Sequence, residues 1–431
     1  MILTILLILV LFALLGLGLC IGLALLATGW VAMAFFTDRA ILNLMGGRLW
    51  DATATWTLTA LPLFIWMGEI LFRSKLSEGL FRGLAPWMGR VPGRLLHVNV
   101  LGCTIFAAIS GSSAATCATV GRITIPELRR RGYSEDMIIG TLAGAGTLGL
   151  LIPPSIMMIV YGVTADVSIA QLFIAGVLPG LLLAALFSGY IVYRALRDPG
   201  SIPVEATRYT LGERFRESRE LIPAALLIIA VLGSIYGGLA TATESAALGV
   251  LGALALAAAQ RSLTMAMFRD SLMGAVRLSS MIGLILAGAA FLTLAMGFTG
   301  LPRAIAMWIH GLGMPDYLLI AVLCVFYIVL GCFLDGISMI VLTMAVLLPT
   351  VQAAGIDLVW FGIFIVLVVE MAQITPPIGF NLFVLQGMTG HDILRIARAA
   401  LPLFLLMSAA VVAITVFPEI VTFLPSRMNA K

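Results

Sequence analysis

Charged side chains are scarce in this sequence. Asp, Glu, Lys and Arg make up 11% of the 431 residues, against 61% hydrophobic. A soluble globular chain carries about a quarter of its residues charged, so that class is excluded. Histidine is scarcer still: His97, His310 and His391 stand far apart, with no metal-ligand spacing. The five cysteines (Cys20, Cys103, Cys117, Cys324, Cys332) form no CxxC pair, and all lie in apolar runs. They read as small core residues and say nothing about redox compartment. There is no phosphate-binding GxxxxGK[ST] loop, which argues against ATP hydrolysis. Neither HExxH nor GxSxG is present, which argues against intramembrane proteolysis. The net charge of +4 does not point to nucleic acid. The Arg and Lys sit in short segments between apolar runs, where they orient a membrane protein.

What the chain has in abundance is long charge-free runs. They cover Met1–Thr37, Ala52–Met67, Met137–Ala165, Leu221–Thr243, Leu278–Leu301, Tyr317–Leu334, Gly336–Ile356 and Ala399–Phe417. A helical span needs about 20 apolar residues, so the chain is an all-α polytopic membrane protein. A membrane β-barrel would alternate in short segments, which these runs do not. The first run is much longer than a leader core and reads as two spans broken near Gly18–Gly22.

A shift of 223 residues lays the chain on itself. Pro92 falls on Pro315, Pro126 on Pro349, Pro153 and Pro154 on Pro376 and Pro377, Pro179 on Pro402, and Gly132 on Gly355. Five matches among 18 prolines point to an old structural repeat. The expected units are 1–205 and 221–431, joined by a cytoplasmic linker at 206–220. Arg73–Arg94 holds five cations, while its partner Met296–Tyr317 holds only Arg303. Arg122–Arg131 holds four and Ala345–Ala354 none. The positive-inside rule then puts paired segments on opposite faces, so the repeats are inverted. Five crossings per repeat fit that inversion: about 2–17, 20–36, 54–72, 134–165 and 172–193, then 221–236, 243–260, 274–296, 357–388 and 399–420.

One segment per repeat remains, about 95–128 and about 317–352. Each has the same kind of flank at both ends, which predicts a re-entrant helical hairpin. The tips fall at Gly111–Ser113 and Asp335–Ser338. Polar, irregular backbone at membrane depth is tolerated where it lines a site or is buried in protein.

Two motifs place a proline pair inside a span, "LGLLIPPSIMMIVYG" (Leu148–Gly162) and "QITPPIGFNLFVLQG" (Gln373–Gly387). Proline removes a backbone donor and clashes with the carbonyl four residues back, so both helices should break. A plain kink is the modest reading. Broken helices at matching positions of two repeats also mark a carrier's binding site. Carbonyls freed near Gly149–Pro153 and Gln373–Pro376 suit a cation, and the following helix starts suit an anion. Ser112, Ser113 and Thr116 offer hydroxyl oxygens, or serve as small packing residues. Asp335 is an unpaired carboxylate by sequence, and Thr375 and Asn381 could complete an oxygen cage around a hard cation. Glu370 serves either the freed amides or a ligand. Glu244 after Thr243 reads as a helix cap. Arg122 either snorkels to the interface or meets a substrate carboxylate.

The stretches "GSSAATCATVGRITIPELRRRGY", "GTLGLLIPPSIMMIVYG", "ATESAALG", "FLDGISMIVLTMAVLLP" and "ITPPIGFNLFVLQG" resemble the large membrane subunit of TRAP transporters, the tripartite ATP-independent periplasmic systems. The likeness runs over essentially the whole chain. It implies an elevator fold of the ion-transporter-superfamily type and sodium-driven import of organic acid anions. It implies as partners a periplasmic substrate-binding protein and a small four-helix membrane subunit, expected here as a separate chain, in a bacterial inner membrane. Sodium serves as the coupling ion and no other cofactor is expected. The implied first sodium site is Ser112, Ser113, Thr116, Gly149, Ile152 and Pro153. The second is Asp335, Gly336, Ser338, Thr375, Gly379 and Asn381. Arg122, Glu370, Pro154 and Pro377 are the substrate-proximal candidates. The rival readings are a stand-alone sodium- or proton-coupled anion carrier of the same architecture, and more distantly an intramembrane enzyme using Asp335 and Glu370.

Overall fold

The computed structural model describes residues 2–203, 209–300, 302, 304, 307, 311, 315–377 and 379–428. Arg303, His310 and residues 206–208 of the expected linker lie outside these. Among the described residues all regular structure is helical. Six helices among the described residues are long and apolar enough to cross a membrane, or up to eight if each of two bent pairs counts as one span. The ten expected crossings all coincide with helices, several of them shorter than a full span. The first apolar run breaks as expected, between Ile2–Gly16 and Ile21–Phe36, with Gly18 at φ 83.

The centre of the molecule is built from the first halves of the two broken helices. Leu358–Gln373 is buried at every position from Trp360 onward, and Glu135–Gly146 from Met137 onward. Both are apolar on all faces, the pattern of a helix enclosed by others. An outer group, Ile21–Phe36, Ala60–Arg73, Ala242–Ala259 and Met265–Thr299, packs largely on itself. Ile21–Phe36 and Met265–Thr299 approach closely because glycines line the crossing. A Cβ on Gly288 would stand 2.4 Å from the Gly22 carbonyl oxygen. Small residues serve membrane helices this way, since backbone approach replaces the hydrophobic drive that lipid removes. The outer surface carries large apolar side chains such as Phe35, Leu226 and Leu251.

Element boundaries follow the 223-residue shift. The helices Ser113–Arg130 and Gly336–Ala353 stand in register, and Ile156–Ala165 and Phe380–Thr389 differ by one residue. Both hairpins leave through the same turn. Gly132 (φ 80) and Gly355 (φ 71) end their helices in the left-handed region. The next residues, Tyr133 and Ile356, donate back to the Leu128 and Val351 carbonyls, a Schellman closure that only glycine enters without strain.

Two regions hold more helix than the sequence reading assigned them. The crossing placed at about 54–72 belongs to a longer unit, Ile41–Thr53 followed by Trp56–Arg73 with a 54° bend. Its partner is one unbroken helix, Met265–Thr299. The bend lies at the end of the first helix, where the Thr53 hydroxyl donates to the Leu49 carbonyl at 2.8 Å and competes for a backbone group. The stretch 206–220 is also not plain linker. Leu211–Ser218 is a helix with a Thr210–Glu213 capping box, and it packs on Leu76–Met88. There Trp87 donates to Ser218 at 2.7 Å.

Two hairpin tips seated on two broken helices

The first hairpin descends as Leu96–Ser110 and returns as Ser113–Arg130. Gly111 turns the chain in the left-handed region, φ 60, a cheap conformation for glycine. Ser112 is extended, and its hydroxyl accepts from the Ala115 amide at 3.4 Å, capping the return helix. The Ser110 and Thr116 hydroxyls lie 2.7 Å apart across the turn. This tip rests directly on the first break. A Cβ on Gly149 would stand 2.6 Å from the Ser112 carbonyl oxygen, and one on Gly111 2.8 Å from that of Pro154. The Ile156 amide donates to the Gly111 carbonyl at 3.4 Å. Backbone therefore meets backbone, because no side chain intervenes at either glycine.

The break itself is what two adjacent prolines dictate. Leu148–Leu151 ends, Ile152 is extended, and the chain resumes helix at Ile156 after a 41° bend. The Pro153–Pro154 and Pro376–Pro377 bonds are both cis. Ser155 occupies the break: its hydroxyl donates to the Leu150 carbonyl and accepts from the Met158 amide at 3.3 Å. One of the freed carbonyls is thus already taken. Ser110 and Ser155 were absent from the sequence expectations; a serine beside the tip glycine Gly111 and another beside the first proline pair were the available signal.

The second hairpin, Asp316–Leu330 and Gly336–Ala353, is built from other side chains. Asp335 is not the unpaired carboxylate the sequence suggests. It caps the return helix, accepting from the amides of Ile337 (3.1 Å) and Ser338 (3.3 Å) and from the Ser338 hydroxyl. Acidic N-caps are favoured because they satisfy free amides and complement the helix dipole. The tip sits on its own break: the Cys332 thiol donates to the Pro376 carbonyl at 3.4 Å, and a Cβ on Gly331 would meet Ala372. A Cβ on Gly336 would stand 3.2 Å from the side-chain Nε2 of Gln373.

Within that break the Gly379 amide donates to the Thr375 carbonyl at 3.0 Å. The Thr375 hydroxyl donates back to Met371 at 2.8 Å. Asn381 is fully buried, and neither end of its carboxamide has a hydrogen-bond partner. Pro377 is exposed.

The two assemblies touch. Met157, just past the first break, reaches the position a Cβ of Gly336 would fill. Glu370, at the centre of the second broken helix, lies beside Ser113 of the first hairpin. Its residue is wholly buried, and neither carboxylate oxygen has a well-formed hydrogen bond. Arg122 lies away from these groups in character: it is exposed, with its guanidinium 5.8 Å from the Phe72 ring centre. Glu244 is the helix cap expected, in a reciprocal box with Thr241. No group of three or more His, Cys, Asp or Glu among the described residues could hold a metal. A cation here would meet hydroxyls, carbonyls, a carboxamide and single carboxylates, the donor set of a hard cation rather than of zinc.

Residues 8–420 match the family model described as the tripartite ATP-independent periplasmic transporter, DctM component. The chain is 33% identical over 405 residues to the C4-dicarboxylate TRAP transporter large permease protein of Pseudomonas aeruginosa, covering 93% of each. It is 31% identical to the isethionate TRAP transporter permease protein DctMQ of Oleidesulfovibrio alaskensis, covering 96% of this chain and 64% of that one. The fold resembles the crystal structure of the Alcanivorax borkumensis YdaH transporter, with TM-score 0.65 at 14% identity over 93% of this chain.

Proposed function

We propose that this chain, which belongs to the DctM component family of the tripartite ATP-independent periplasmic transporters, is the sodium-driven transport subunit of an importer of organic acid anions. Its relatives are named as large permease proteins, and it is a membrane transport component rather than an enzyme. The finer reading concerns coupling, substrate and partners.

The observation that supports it is the pair of tip-on-break contacts. Each hairpin tip seats its backbone on a proline-broken helix, and the two assemblies meet through Met157 and Glu370. Sodium would be held on one side by oxygens of Ser112, Ser113, Thr116, Gly149, Ile152 and Pro153. On the other side Asp335, Gly336, Ser338, Thr375, Gly379 and Asn381 would serve. A buried, unpartnered Asn381 fits an absent ligand, since such groups are costly unless satisfied. A carboxylate as enclosed as Glu370 needs a proton or a cation. Broken helices present free amides and carbonyls to substrate and ion together. If the tips close only when both are bound, transport is coupled.

The inverted repeats 1–205 and 221–431 give such a carrier its two-faced symmetry. The outer helix group would stay fixed while hairpins and broken helices slide as an elevator. The named substrates of the relatives, a C4-dicarboxylate and isethionate, are small organic anions; this chain would take one of that class. A periplasmic binding protein would deliver it, and a small membrane subunit would complete the assembly in a bacterial inner membrane. The DctMQ name joins both membrane components in one relative.

The test is uptake into proteoliposomes holding both membrane subunits, with the binding protein and candidate acids outside. Uptake should need an inward sodium gradient. Equal uptake with potassium in its place would remove the sodium reading. Uptake without the binding protein would favour a stand-alone carrier.

A further inference from the structure

We infer that a cavity of about 390 Å³ between the first broken helix and the helices Ile169–Arg197 and Ile393–Val416 is a binding site for a phosphate-bearing anion. It lies apart from both hairpin tips. Its wall holds three arginines, Arg194, Arg395 and Arg398, with Tyr190, and a single acid, Asp136. Asp136 is already engaged: Arg395 donates to it from Nε at 3.3 Å and Nη2 at 3.2 Å. Among the described residues neither Arg194 nor Arg398 has an ion-pair partner, and Asp136, the one acid of the lining, is engaged by Arg395, so the lining carries an excess of positive charge. The Arg194 Nε is buried without a hydrogen-bond partner. Leaving a guanidinium N–H dry and unpaired is costly, and the cost is recovered when an anion accepts from it. Arginine suits phosphate in particular, through its planar, always-charged fork.

The surroundings favour a lipid as the source of that phosphate. The floor of the cavity is apolar, with Met137, Ala399 and Leu403. Beside it, Leu394, Leu401 and Leu405 on one helix and Leu196 on the other are more than half exposed, as side chains facing acyl chains are. Basic pockets between membrane helices take anionic headgroups in this way. The two long helices occupy matching places in the two repeats, so an occupant would tie the repeats together at their cation-rich ends.

The experiment uses the purified full chain in a neutral detergent. Retained lipid is read by native mass spectrometry, and the melting temperature by thermal shift. Dioleoylphosphatidylglycerol should be retained and should raise the melting temperature, while phosphatidylcholine should not. Arg194→Gln with Arg398→Gln should weaken retention about 30-fold, at about fivefold per arginine. Arg194→Lys with Arg398→Lys keeps the charge without the fork and should retain more lipid than the Gln pair and less than the parent, which separates lost charge from lost folding. A thermal shift from millimolar inorganic phosphate, abolished by the Gln pair, would support the site with a free anion as its occupant. Retention unchanged by the Gln pair, or no preference for anionic over zwitterionic lipid and no response to phosphate, would overturn the inference.

Discussion

Asp335 carries two roles that one substitution can separate. As an N-cap it holds the Ile337 and Ser338 amides; as a charge it would attract sodium. Asn caps about as well as Asp, whereas Ala forfeits about 1 kcal/mol. Asp335→Asn should therefore leave the folded protein intact and move the sodium dependence of uptake to higher concentrations. Asp335→Ala should do both harms, which a thermal melt alongside the uptake titration will separate. An unchanged sodium dependence in Asp335→Asn would leave the second site to backbone carbonyls with Thr375 and Asn381. Arg122 poses a simpler question. An exposed guanidinium over Phe72 needs a cation and a stem, and lysine supplies both. Uptake by Arg122→Lys should stay within about twofold of the parent. A loss of tenfold or more would instead mark a bidentate contact to substrate, which lysine cannot make.

At the scale of elements, the hairpins and the breaks are held together by glycines rather than by large side chains. Gly149→Ala places a Cβ 2.6 Å from the Ser112 carbonyl oxygen, and backbone on both sides leaves little room to relax. Overpacking of this kind costs about 1–3 kcal/mol. The first tip should lift from its break, lowering the melting temperature and the sodium affinity together. A melt and a titration indistinguishable from the parent would mean that the tip does not bear on the helix. The hairpins also make a topological claim. Cysteines placed at Arg90 and Arg131 should react with a membrane-impermeant reagent only from the cytoplasm. Those placed at Pro315 and Gly355 should react only from the periplasm. Labelling of one hairpin's two flanks from opposite sides would show a crossing in place of a re-entrant hairpin.

Across the whole molecule, an outer helix group packs against a central group of hairpins and broken helices. One point of contact is Gly68 on Ala60–Arg73, where a Cβ would lie 3.3 Å from the Ser110 Cα at the first hairpin tip. If transport slides one group along the other, tying them there must stop it. Gly68→Cys with Ser110→Cys, in a background without the five native cysteines, should form a disulfide on mild oxidation, since the two positions are in direct contact. Uptake should vanish on oxidation and return on reduction. Full cross-linking with uptake intact would mean that the two groups do not move apart at this contact.

The sequence alone carried the membrane class, the repeat offset and both hairpin turns, because these rest on local rules: hydropathy over about 20 residues, proline chemistry and glycine turns. It carried the breaks as well; the helices end at Leu151 and Gln373 beside the expected proline pairs. One local pairing and two long-range features went unread in the sequence. Asp335 is satisfied by amides two and three residues ahead of it, a geometry that an isolated acidic letter does not reveal. Glu370 and Asn381 are buried without well-formed hydrogen bonds because distant segments enclose them. The cavity at Arg194, Arg395 and Arg398 joins residues some 200 positions apart in the chain. Local sequence decides where a helix starts, bends and stops. Which side chains then share one desolvated space is decided by long-range packing, because burial and pairing are properties of neighbours and not of the residue itself.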